Sequence, residues 1–209
     1  MSEKRSTKGV FPDPSGDELK QEIALIRQIM EETKRVTRDN GKYYIFWGAL
    51  VMVGLLLSYF TIKLSLGLNH GLIWLVCVGI GWIGYFIMGY KDKARQRSET
   101  FSGRVLMMIW LGCGIALTIL GFVGTFTGGI KFGALSAVIA TVLGVGYFVS
   151  SVLYPHKWFI YLAIGWWLGG IVTFFFQGDE SILILALMIF ALQMVPGLVL
   201  YSRYKKEIS

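Results

Sequence analysis

Few side chains in this sequence have the chemistry for catalysis or metal binding, and they are scattered. The two histidines, His70 and His156, each lie between long apolar runs. Neither a His-Glu-x-x-His zinc motif nor a closely spaced cysteine pair accompanies them. His70 falls with Asp179 and Glu180 on one side of the runs. A weak metal or proton-sensing group there would need the connecting turns to converge, and solvated loop residues are the simpler reading. His156 falls on the opposite side, so the two imidazoles cannot share an ion. Cys77 and Cys113 sit mid-run in different segments and read as small apolar residues. Gly79-Ile80-Gly81-Trp82-Ile83-Gly84 matches the dinucleotide-binding fingerprint. That motif needs a strand–turn–helix junction at which backbone N–H groups meet pyrophosphate. Inside an apolar run its glycines read as packing residues. Gln193 is the one strong polar group deep in a run. No cofactor or metal site emerges, and the chain reads as a non-enzyme.

The elements that would position these residues are set by composition. The 209 residues are 55% hydrophobic with a mean hydropathy of +0.60, too apolar for an ordinary soluble domain. A helix needs about 20 apolar residues to cross a hydrocarbon core of about 30 Å. Six such runs occur, at residues 43–62, 72–90, 105–126, 132–154, 158–176 and 182–201, and none alternates like a barrel strand. The expected fold is all-α: a polytopic membrane protein of three helical hairpins, residues 43–202. No run carries Asp, Glu, Lys, Arg or His near its middle, which disfavours ion-coupled transport. Thr118, Thr141, Thr173, Gln193 and a helix kink at Pro196 remain as a sparse polar path for a small neutral solute.

Charge placement gives the orientation. Net charge is +7, and all of the 20 lysines and arginines except Lys63 and Lys131 fall on one side of the runs. Positive residues near spans stay cytoplasmic, so both termini, including the tail at 203–209, are expected inside a bacterial inner membrane. Lys91, Lys93, Arg95 and Arg97 form the densest patch. It is suited to anionic headgroups, although fixing topology is its simpler role. No aromatic interleaves it, which disfavours nucleic acid.

Residues 1–16 read as a mobile polar tail. Ser15-Gly16-Asp17-Glu18 has capping-box spacing, and Leu19, Ile23, Ile26 and Met30 then step around one face of an amphipathic helix over 17–40. Asp39-Asn40-Gly41 is the expected stop. This helix either packs on its own spans or the membrane surface, self-associates, or docks a cytoplasmic partner through residues 17–39.

Small residues mark where spans would pack closely. Gly133, Ala137 and Thr141 form one row and Ser136, Ala140 and Gly144 the next, with Gly165 and Gly169 in the following run. The three helix pairs also echo one another: Trp47-Gly48, Trp110-Leu111-Gly112 and Trp167-Leu168-Gly169 in their first members, then Gly84-Tyr85-Phe86, Gly146-Tyr147-Phe148 and Gly197-Leu198-Val199 in their second. Ile26-Arg27-Gln28-Ile29-Met30-Glu31, followed by a polar stretch and an aromatic first span, resembles uncharacterised six-span bacterial inner-membrane proteins. The paired helices resemble, in architecture, the small acid-resistance membrane proteins of the HdeD type. Neither resemblance implies a catalytic residue. The expected function is a structural or regulatory membrane component acting through helix packing, with a neutral-solute transporter or channel as the alternative. A sensor of the lipid environment acting through the basic loop is a third reading.

Overall fold

Apolar runs inside lipid must satisfy their own backbone N–H and C=O groups, and helices do so. A computed structural model describes residues 16–95, 101–154, 157–176 and 178–208. Among the described residues the α-helices are α1 Gly16–Lys63, α2 His70–Arg95, α3 Phe101–Thr118, α4 Phe132–Leu153, α5 Trp158–Phe175, α6 Asp179–Ile189 and α7 Val195–Ile208. No strand occurs among them. Among the described residues six stretches are long and apolar enough to cross a membrane: Gly41–Lys63, His70–Lys91, Ser102–Gly124, Phe132–Leu153, Trp158–Phe175 and Asp179–Ser202. The protein is all-α and polytopic. With short connections the spans alternate in direction, so Gly41 and Ser202 share one face, here termed proximal. Lys63, His70 and Asp179 mark the distal face.

Two spans contain a π-helical turn, Ile119–Gly124 after α3 and Phe190–Met194 between α6 and α7. Pro196 has no N–H to offer the Leu192 carbonyl, and the second π-turn lies where that bond is missing. The distal connections are built by local hydrogen bonds. Asn69 Oδ1 accepts from the Gly71 and Leu72 amides at 2.8 and 3.3 Å, capping α2. The α3–α4 turn closes with the Ile130 amide donating to the Gly124 carbonyl at 2.8 Å. It places Gly128 at φ +73°, a conformation glycine adopts without strain.

Two compact units partition the chain, residues 1–32 and 33–209, and every span belongs to the second. In the first, Leu19 and Ile23 are 44% and 49% exposed.

The expected stop at Asp39-Asn40-Gly41 is absent, and α1 continues as helix through Gly41 to Lys63. Gly41 ends no helix because it retains helical geometry and serves a close crossing instead. A methyl group in place of its hydrogen would lie 3.0 Å from the Gly197 carbonyl oxygen, and one on Gly197 would lie 3.1 Å from that of Gly41. Backbone meets backbone where α1 crosses α7.

Burial is uneven across the bundle. The sixth and fourth spans are 44% and 39% buried, the second and third 11% and 6%. Helices α2 and α3 therefore form a flank that presents apolar side chains to lipid. Helix α4 packs more extensively on α5 than on α3, its neighbour in the α3–α4 hairpin.

Candidate functional site

Tyr44 is where the spans converge. It is buried near the proximal end of the first span, within α1. Its ring meets Trp110 of α3 edge-on at 5.2 Å and stacks on Tyr147 of α4 at 5.6 Å, while the tilted ring of Phe159 of α5 lies 6.5 Å away. Tyr147 in turn stacks on Trp166 at 6.1 Å, and Phe159 lies 4.0 Å from Tyr154 at an interplanar angle of 15°. Offset-stacked and edge-on rings are each worth about 0.5–1.5 kcal/mol beyond their buried area. The Tyr44 and Tyr154 hydroxyls are 3.5 Å apart. Gln193 Nε2 donates to the Tyr44 carbonyl oxygen at 3.4 Å, tying α1 to the π-turn of the last span. Trp110 Nε1, Tyr147 Oη and Trp166 Nε1 are buried without a hydrogen-bond partner.

A second polar group lies toward the distal face. Ser58 and Thr61, three residues apart on α1, are buried, and their hydroxyls have no partner. An unmet buried hydroxyl costs about 1–3 kcal/mol. Ser58 lines a cavity of about 20 Å³ together with Leu55, Trp74, Ser136, Ile182 and Leu185, among others. Ser136 Oγ donates to Ser181 Oγ at 3.4 Å, and Ser181 donates to the Gly178 carbonyl at 2.9 Å. These groups can donate or accept neutral hydrogen bonds. They contain no base to activate a nucleophile.

The residues singled out from sequence are distributed as follows. Ser136, Ala137, Ala140 and Gly144 are buried, Gly133 is half-buried and Thr141 is exposed. Ala137, Ala140 and Thr141 meet Gly170 of α5, where an added methyl would lie 3.3 Å from Ala140 Cβ and 3.5 Å from Thr141 Oγ1. Gly144 faces the Trp167 indole, whose Nε1 donates to the Thr141 carbonyl at 3.3 Å. Gly165 and Gly169 face the other way, onto Leu192 and Met188. Thr118, Thr173 and Gln193 are not joined. Thr118 accepts from Trp82 Nε1 at 3.4 Å and bonds the Gly114 carbonyl. Buried Thr173 bonds the Gly170 carbonyl of its own helix. Pro196 is buried beside the π-turn.

Of the basic patch, Lys91 is exposed. The Lys93 and Arg95 side chains, Arg97, His156 and residues 1–15 lie outside the described residues. At the distal face Asp179 pairs with Lys63 at 3.9 Å, whereas His70 lies against the Phe132 ring at 5.9 Å. Among the described residues no group of His, Cys, Asp and Glu is placed to hold a metal ion. Cys77 and Cys113 are free thiols.

The residues that echo between helix pairs make different contacts. In the first pair Trp47 seats on Gly81 while Phe46 meets Gly84, and in the second Trp110 of α3 lies 3.6 Å from the methyl position of Gly146. In the third, Trp167 turns to Gly144 of α4, and Gly197 is met by Tyr44 and Ile45 of α1.

Sequence reasoning did not find the Tyr44–Trp110–Tyr147–Phe159 cluster, because the aromatic cluster Tyr43-Tyr44-Ile45-Phe46-Trp47 at the start of the first span is equally suited to the membrane interface. Its available signal was the aromatic pair Trp110 and Tyr147 at matching depths of adjacent runs. No family model matches the chain, and no curated protein or solved structure is significantly similar to it.

Proposed function

We propose that this protein is a non-enzymatic structural or regulatory component of a bacterial inner membrane, working as a closed helical scaffold. The observation that carries this reading is the ring cluster around Tyr44. Side chains from four helices fill the proximal half of the bundle, the place where a solute path would have to open. The proximal face is the cytoplasmic one, since Lys42, Lys91, Arg104 and Lys157 flank it against Lys63 and Lys131 at the other. Exposed Leu19 and Ile23 supply an apolar strip for self-association or a protein partner through residues 17–39. Exposed Lys91 is suited to anionic headgroups, and nucleic acid is no ligand.

Thiol labelling tests this reading. Single cysteines at 118, 173 and 193, in a chain whose Cys77 and Cys113 are replaced by alanine, stay unlabelled by a small water-borne reagent if the bundle is closed. Labelling of all three from either face identifies a conduit.

A second reading, passage of a small neutral solute, is favoured by one observation. Ser58, Thr61, Trp110, Tyr147 and Trp166 bury polar atoms without partners, an expense that packing alone does not require.

A further inference from the structure

Space and an unmet hydrogen bond coincide at the cavity bordered by α1, α2, α4 and α6. Its volume of about 20 Å³ exceeds the roughly 10–15 Å³ a cavity needs to hold one water molecule. Serine and threonine hydroxyls in helices commonly bond the carbonyl one turn back. Ser150 does so to Gly146 at 2.7 Å and Thr141 to Ala137 at 2.8 Å. Ser58 departs from that habit: only 1% exposed, it has no partner within the protein and lines the cavity.

We propose that the cavity binds one ordered water molecule, held between Ser58 and Ser136, as a pin between α1 and α4. Donor accounting fixes its orientation. The Ser181 O–H is spent on the Gly178 carbonyl, and the Ser136 O–H is spent on Ser181 Oγ. Ser136 Oγ therefore has only lone pairs to offer, and Ser58 has an O–H without an acceptor. A water between them accepts from Ser58 and donates to Ser136. The series then runs Ser58, water, Ser136, Ser181, Gly178, each O–H donating to the next oxygen. It ties α1, α4 and the start of α6 together near the distal face. A dry void or an acyl-chain end in the same space leaves the Ser58 proton without an acceptor. The apolar wall of Leu55, Trp74, Ile182 and Leu185 supplies no side-chain carboxylate or base, so the ligand is neutral.

Radiolytic hydroxyl-radical footprinting of the full chain in lipid nanodiscs tests this, because radicals formed from a bound water oxidise the side chains against it. Leu55 and Leu185 line the cavity at 4% and 1% exposure, and Leu106, at 1%, does not line it. The expected result is oxidation of Leu55 and Leu185 several-fold faster than Leu106, falling to the Leu106 rate in Ser58→Ala. Equal rates for the three leucines in the unaltered chain overturn the proposal, as does undiminished oxidation in a folded Ser58→Ala protein. If Ser58→Ala does not fold, Ser136→Ala is read by the same criterion.

Discussion

The Gln193 side-chain amide donates to the Tyr44 backbone carbonyl at 3.4 Å, joining the first span to the last across 149 positions of sequence. The bond sits about one helical turn from the Gly41–Gly197 crossing of α1 and α7. It links the π-turn of the last span to the residue on which the aromatic core converges. Hydrogen bonds between membrane helices average only about 0.6 kcal/mol, because the unfolded chain in lipid also finds partners. Gln193→Leu should therefore lower the unfolding free energy in mild detergent by less than about 1 kcal/mol. A loss several times larger would mean that Gln193 satisfies more than this one carbonyl.

The Gly41–Gly197 crossing should be far less forgiving. A β-carbon at either position lies about 3 Å from the opposing carbonyl oxygen, and backbone cannot yield as a side chain can. Gly197→Val should cost about 1–3 kcal/mol through overpacking. Gly112→Ala, on the lipid-facing flank with nothing within 4 Å of the new methyl, should be neutral or slightly stabilising. Thermal unfolding of the two variants side by side checks the contrast, and equal losses would refute the crossing.

Tyr147 separates ring packing from hydroxyl chemistry. Its ring is fully buried between Tyr44, Trp110, Phe159 and Trp166, while its hydroxyl has no partner. Tyr147→Phe removes an unmet polar atom and should be neutral or stabilising by up to about 1–3 kcal/mol. Tyr147→Ala opens a large void and should cost about 3–5 kcal/mol. Chemical denaturation of both variants decides it. Marked destabilisation by the phenylalanine would show that the hydroxyl has a partner in the membrane.

What the sequence made legible was what depends on composition and length. The six spans were readable because a bilayer demands about 20 apolar residues of each. The contacts of individual small residues were not. Gly41 follows Asp39-Asn40 and has the appearance of a helix end, yet its role is set by Gly197, far along the chain. The small-residue row of α4 was visible, but its complement, Gly170, sits one position beyond the Gly165–Gly169 row that helical spacing picks out. Within lipid every apolar face is acceptable, so periodicity does not say which face meets protein. Tyr44 was hidden for the same reason, since an aromatic near a span end serves a headgroup belt and a buried core equally well.

At the distal rim the Lys63–Asp179 pair is 3.9 Å long, with side chains 59% and 36% exposed. Exposed pairs contribute about 0–1 kcal/mol. Asp179→Asn should leave thermal stability within about 1 kcal/mol and remove what little salt dependence the pair confers. A larger loss would show a structural role for Asp179 beyond Lys63.

The closed scaffold is tested most directly by the accessibility of Gln193. A single cysteine at position 193 in the Cys77→Ala, Cys113→Ala chain, reconstituted in liposomes, should stay unmodified by a membrane-impermeant thiol reagent from either side. A cysteine at Ser65, exposed in the distal loop, should react quickly as the positive control. Modification of position 193 at a rate approaching that of position 65 would contradict the account, because water would then reach the carbonyl of Tyr44 through the ring cluster.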